Sequence, residues 1–262
     1  MRKIIDAFLS TFSLISRIPI PGKEKQDFRY AGFFLPLTGL LIGVLCFFVF
    51  MLSYFSVVDK FLLTILILLL QYGLFNLFHF DGFLDSADAL FCFVDKKRRL
   101  EILKDTSTGS FALFSGVVYL LLKIYLLFSL IKVISFSDLF PAVCLFAYPV
   151  SGRISASLIP CFLDPARETG LGVLLRGLKK RYSFSGAFIS IFSVYAFSFP
   201  HLINGLAGIS PFAGSAIAFF LVYILYRKKI GGYTGDAMGL AVETGELFHL
   251  LIFFFVYRSF TF

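Results

Sequence analysis

A chain of 262 residues that is 58% apolar, 15% charged and +0.89 in mean hydropathy is too hydrophobic for a soluble globular domain and reads as an integral membrane protein. Its net charge of +8 comes without any nucleic-acid-binding motif, so the basic excess points to membrane topology and anionic lipid, and no nucleic-acid partner is expected. Cys46, Cys92, Cys144 and Cys161 lack paired metal-ligand spacing, and His79, His201 and His249 are too scattered for a histidine zinc site.

From the N-terminus, residues 4–18 have the pattern of an amphipathic helix lying in the membrane interface, ended by Pro19 and Pro21. Asp6 and Arg17 interrupt its apolar run and no small-residue cleavage site follows, so a retained segment is expected rather than a signal peptide. Apolar stretches then recur at 33–55, 61–80, 110–136, 139–163, 184–206, 211–226 and 236–257, most of them reaching the roughly 20 residues that cross a ~30 Å hydrocarbon core. The expected fold class is all-α: a polytopic helical bundle of about seven transmembrane helices plus the N-terminal interfacial helix. The 211–226 segment is short and the last stretch opens on polar residues, so the count is fixed to within one. No linker, low-complexity tract or internal repeat divides the chain, and residues 1–262 form one membrane domain.

Lysine and arginine set the orientation, because loops facing the cytoplasm carry an excess of them. Six lie before residue 30, five between Lys96 and Lys104, five between Arg167 and Arg181, and three at 227–229, which puts nineteen of the 24 on one side of a seven-span topology. That side is expected to be the cytoplasmic face of the cell membrane. Lys123, Lys132 and Arg153 fall inside spans, while Lys60 and Arg258 belong to the other face.

Three acidic groups stand out on the basic side. The first is Asp81, Asp85 and Asp88, in the run from His79 to Asp88 that ends the second apolar stretch. At ~100° per helical residue, steps of four and three keep the three carboxylates within roughly 60° of one face. Such crowded like charges beside lipid repel unless a proton or a cation sits among them, and a divalent metal is the simplest remedy. His79 lies at the same depth, where it orients a carboxylate or a phosphate or is simply an interfacial histidine. The second group, Glu101 and Asp105, shares a helical face ahead of the turn Thr106–Gly109, with Lys104 beside it.

The third group is the glycine-rich run Gly231, Gly232, Tyr233, Thr234, Gly235 and Asp236, followed by Glu243 and Glu246. Glycines opening a helix expose backbone N–H groups suited to phosphate oxygens, while Asp236 is either a reactive carboxylate or a helix cap. Acidic side chains as deep as Glu243 and Glu246 face a cavity or a partner. Arg153, within a span, and Arg167, in the loop after residue 163, are the arginines placed to grip a phosphate, although Arg167 has Asp164 and Glu168 as surface partners.

Five blocks in register carry a resemblance: Ser16–Pro21, His79–Asp88, Leu100–Asp105, Ala166–Gly172 and Gly231–Asp236. Together they resemble the cobalamin synthase family, adenosylcobinamide-GDP ribazoletransferase, over nearly the whole chain. The resemblance implies a magnesium-dependent membrane enzyme that joins adenosylcobinamide-GDP to alpha-ribazole or its 5'-phosphate, releasing GMP. It further implies the bilayer as its setting, with association with a second copy or with other cobalamin-assembly enzymes as a further expectation. Two positions depart from the family pattern: Ala89 stands where glycine is usual and Ser107 where arginine is usual, and the second removes a phosphate contact that Lys104 or Arg153 would have to replace.

The residues support this chemistry independently. Moving a phosphoryl-linked group from a diphosphate to a ribose hydroxyl needs neutralised phosphate charge, an in-line nucleophile and help for the leaving group. Asp81, Asp85 and Asp88 are the expected Mg²⁺ ligands, Asp105 or Asp236 the base, and Arg153 and Lys104 the cations that stabilise charge on the transferring group, with His79, Arg167, Gly231, Gly232, Thr234 and Gly235 around the substrate. A cation-coupled transporter, which would place acids at the bilayer midplane, and a phosphotransferase of CDP-alcohol type are the alternatives; a purely structural membrane component ranks below both.

Overall fold

The computed structural model describes residues 2–19, 26–53, 58–135, 139–198 and 207–261, and every regular element among them is helical. In chain order these are α1 (Arg2–Ile15), α2 (Ala31–Leu52), α3 (Lys60–Gln71), a π-helical turn (Tyr72–Asn76), α4 (Leu77–Phe91), α5 (Lys96–Ile102), α6 (Ser110–Val133), α7 (Leu139–Leu145), α8 (Tyr148–Phe162), a 3₁₀ turn (Leu171–Leu175), α9 (Lys180–Ser198), a second 3₁₀ turn (Ala207–Ile209), α10 (Ser210–Lys229) and α11 (Gly235–Thr261).

Six described segments are long and apolar enough to cross a membrane: Ala31–Leu52, Lys60–Phe91, Ser110–Val133, Leu139–Phe162, Ser210–Lys229 and Gly235–Ser259. The all-α polytopic bundle is what the composition implies, but the count of seven is not reached. The missing stretch, expected at 184–206, folds as α9, whose serines and basic first turn dilute its hydropathy, and residues 199–206 lie outside the described residues. Also outside them are Pro21, Lys23, Lys25 and His201, together with the edges of the spans expected to end at 55 and 136.

Helix α1 is amphipathic as expected and stops before Pro19, yet it does more than lie at the interface. Ala7, Ser10, Thr11 and Ile15 are fully buried against the bundle, and the rings of Phe8 and Phe12 meet Phe34 and Phe75 at 5.5 and 6.1 Å. Small side chains on that face let the helix dock closely, while Ile4 and Ile5 stay exposed.

The bundle interior holds a polar network as well as apolar packing. Glu246 of α11 pairs with Arg153 of α8 and with Lys123 of α6, whose Nζ stands 2.5 Å from Oε2. Glu243 accepts from Tyr72 Oη at 2.8 Å, Asn76 Nδ2 at 2.9 Å and Tyr119 Oη, with Lys123 at 3.5 Å. Arg153, Lys123, Glu243 and Glu246 are all fully buried. Two carboxylates face two cations, so the charges cancel where lipid and protein offer none of water's screening. The π-helical turn matters here: its extra residue breaks the α-helical register between α3 and α4 and presents both Tyr72 and Asn76 to α11.

Candidate active site

Helices α4 and α11 meet at glycines. A Cβ on Gly82 would stand 2.9 Å from the Asp236 Cα, and one on Gly239 would stand 2.5 Å from the His79 carbonyl oxygen, so only hydrogen fits at either position. This contact brings the carboxylate face of α4 against the first turn of α11. Ser86 Oγ reinforces it, bonding to Tyr226 Oη at 2.7 Å and donating to the Asp236 carbonyl at 3.2 Å.

The loop after α8 closes over the same end of the bundle. Residues Asp164 and Ala166 exchange backbone hydrogen bonds with Tyr233 (2.9 and 2.8 Å), and Tyr233 Oη donates to the Gly172 carbonyl at 2.8 Å. Gly232 is buried beneath this crossing, and Gly231 takes a φ of +83° that suits glycine. The clamp holds Arg167 over the acidic cluster: its Nη2 donates to the Leu100 carbonyl at 2.8 Å, its buried Nε has no partner among the described residues, and its charge acts on both Asp85 and Asp236.

Two cavities share the wall Gly172, Gly235 and Asp236. The larger, about 360 Å³, is also lined by His79 and Asp81, and its far side by Phe28 and Leu175. The smaller, about 150 Å³, is lined by Arg167, Thr169, Tyr233 and Thr234. Asp81 is exposed, Asp85 and Asp236 are half-buried, and the charges of Asp81 and Asp236 are the anions acting most on Asp85. Thr234 Oγ1 donates to Asp236 Oδ2 at 2.9 Å, and no described protein donor reaches the side chains of Asp81 or Asp85. His79 is buried at the cavity edge with Nε2 unpartnered.

The other expected site residues lie elsewhere. Asp88 is buried, and its two carboxylate oxygens accept from the backbone N–H groups of Gly109 (2.6 Å) and Ala112 (2.8 Å), capping the start of α6. Arg153 is sealed in the interior, bonded to Glu246 and Asn76, away from both cavities. Lys104 and Asp105 are exposed on the loop between α5 and α6 and line neither cavity. The Ser107 hydroxyl and amide, at 2.5 and 3.0 Å, hold the Asp105 carboxyl below its usual range. Glu101 pairs with Arg98 at 2.9 Å on the solvated face of α5. Residues that the spacing did not single out are Gly172, Leu175 and Phe28 as cavity walls, and Gln71, Asn76, Tyr72, Tyr119 and Lys123 in the interior network.

Among the described residues no group of three or more His, Cys, Asp or Glu side chains could hold a metal by itself. Magnesium does not require one, since it keeps several waters and takes one or two carboxylates together with substrate phosphates. Two carboxylates without a described protein donor fit that demand: Asp81, on the wall of the larger cavity, and Asp85, one turn along α4 from it.

Fold and site together define an all-helical polytopic membrane protein with a carboxylate-lined cleft at one end of its bundle. A model of the family described as cobalamin-5-phosphate synthase matches residues 7–254, and the chain belongs to that family. It is 32% identical to an adenosylcobinamide-GDP ribazoletransferase of Clostridium botulinum (strain Loch Maree / Type A3) over 96% of this chain and 98% of that one. Proteins of the same description from Thermosipho melanesiensis and Kosmotoga olearia are 34% and 32% identical, covering 88% and 90% of this chain and 91% and 92% of theirs. No solved structure matches.

Proposed function

We propose that the chain is an adenosylcobinamide-GDP ribazoletransferase whose reaction runs in the cleft between α4 and α11. A ribose hydroxyl of alpha-ribazole, or of its 5'-phosphate, attacks the phosphorus attached to cobinamide; the bond from that phosphorus to the bridging diphosphate oxygen breaks, and GMP leaves with the oxygen. The observation that carries this reading is the convergence of Asp81, Asp236 and Arg167 on two adjoining cavities, with Asp85 one turn along α4 from Asp81, in a chain that matches its relatives almost end to end.

Asp236 is assigned the hydroxyl proton, because it lies on the wall common to both cavities while Asp105 lines neither. Arg167 supplies a guanidinium with a free Nε toward the transferring phosphoryl group, taking the role that spacing alone gave to Arg153 or Lys104. The start of α11 at Gly235, whose first-turn N–H groups have no partner within the helix, suits the diphosphate. Asp81 and Asp85 would hold Mg²⁺, which when bound neutralises diphosphate oxygens and the departing GMP. The basic loops at this end support a cytoplasmic setting for the cleft.

The interior acids do not favour a transporter, since Glu243 and Glu246 are matched by Lys123 and Arg153 and leave no net charge for a coupling ion. The test is to incubate detergent-solubilised protein with adenosylcobinamide-GDP, alpha-ribazole and Mg²⁺ and to measure GMP and the completed corrinoid. Asp85→Asn is expected to lower GMP release by about 100-fold or more while the protein still inserts. Unchanged turnover in that variant, or after exhaustive chelation, would overturn the metal assignment.

A further inference from the structure

Away from the cleft, helices α8, α9 and α10 leave a cavity of about 670 Å³ between them, within the range of ligand sites. Ile154, Leu158 and Phe162 of α8, Phe188 of α9 and Phe212 and Tyr223 of α10 line it. It opens to the outside of the bundle, where Phe188 is 70% exposed and Phe212 62% exposed. Apolar packing alone would leave such a groove to any lipid tail.

One of its ends carries charge. Phe162 and Tyr223 mark the end shared by the last turns of α8 and α10 and the start of α9. There each ring carries a cation: Lys180 Nζ stands 4.1 Å from the Phe162 ring centroid, and Arg227 Nη1 donates to Tyr223 Oη at 2.7 Å. Both cations are exposed. The cavity wall itself carries no charged side chain, so the two cations stand at its rim, on the rings of Phe162 and Tyr223. An occupant with an anionic head and a long apolar tail matches this arrangement, and no other membrane component abuts every helical bundle so constantly.

We propose that the groove between α8, α9 and α10 is a binding site for an anionic phospholipid, with its headgroup phosphate between Lys180 and Arg227 and an acyl chain along Phe188. The site is separate from the cleft and does not depend on the transfer reaction.

The sequence contains no tryptophan, so Phe188→Trp places a single fluorescent reporter in the groove and Leu121→Trp places one on the lipid face of α6, where Leu121 is 62% exposed. Each is reconstituted in phosphatidylcholine vesicles containing brominated phosphatidylglycerol or, at the same mole fraction, brominated phosphatidylcholine. At Phe188→Trp the anionic quencher is expected to act at several-fold lower mole fraction than the zwitterionic one, whereas at Leu121→Trp the two act alike. Adding Lys180→Gln and Arg227→Gln is expected to weaken the preference by about five-fold per cation. Equal quenching by both lipids at Phe188→Trp, the same preference at Leu121→Trp, or a preference that survives loss of both cations would overturn the proposal. Should the doubly substituted protein fail to insert, the comparison of the two reporters decides: excess preference in the groove upholds the site and parity refutes it.

Discussion

Asp85 and Asp88 lie three residues apart on α4, yet one is half-buried with no described protein donor on its carboxylate and the other is spent on a neighbouring helix. The difference is one of partners. Two backbone N–H groups at the start of α6 reach Asp88 at 2.6 and 2.8 Å, and without it that of buried Ala112 is left a donor with nothing to bond. Asp88→Ala is therefore expected to lower stability by about 1–3 kcal/mol, read by thermal unfolding in detergent. The protein that remains folded should keep most of its activity, and added Mg²⁺ should not restore the stability. A variant as stable as the parent but inactive would instead return Asp88 to the metal. For Arg167, whose Nε is free beside Asp236, Arg167→Lys keeps the charge and loses the planar fork, so kcat should fall by at least ten-fold with little change in unfolding temperature.

Helix pairs, not single side chains, set the distance between the acidic groups. Gly82 and Gly239 allow α4 and α11 to touch, and a methyl group at Gly82 would meet Asp236 backbone rather than a side chain that can turn away. Gly82→Ala is expected to push the helices apart and to cost about 100-fold in kcat, the scale of a 1 Å misplacement, with ligand-free stability reduced less. Deeper in the bundle, Lys123 of α6 balances Glu243 and Glu246 of α11. Lys123→Met leaves an uncompensated carboxylate in the interior and should destabilise the fold by about 3–5 kcal/mol. Adding Glu243→Gln to it removes the orphaned charge and should recover much of that loss; if the double variant is no more stable than the single one, the charges are not the reason the network persists.

At the scale of the whole molecule, what could be read from the sequence was whatever a short window contains. Apolar runs of sufficient length mark six spans, and the aspartate and glycine runs mark α4 and α11 as the helices of the site. What could not be read depends on neighbours far along the chain. Arg153 is a phosphate ligand by spacing and an interior ion pair by structure, because Glu246 lies 93 residues away. Asp88 becomes a cap only when α6 packs beside α4, and α9 falls below the hydropathy of a span although it packs along α2 and α8. The topology nevertheless carries one prediction that needs no catalysis. Lys229 Nζ donates to the Leu90 carbonyl at 2.8 Å, Arg99 bonds the Ala89 carbonyl and Arg167 reaches Leu100, so the basic loops and the end of α4 occupy one face. Cys92 sits there half-exposed, whereas Cys46 and Cys144 are buried. With Cys161, also half-exposed at that end, replaced by serine, a membrane-impermeant maleimide should label Cys92 in inverted membrane vesicles and leave it untouched in intact cells. Labelling from outside intact cells would put the cleft on the far side of the membrane, out of reach of a cytoplasmic nucleotide substrate.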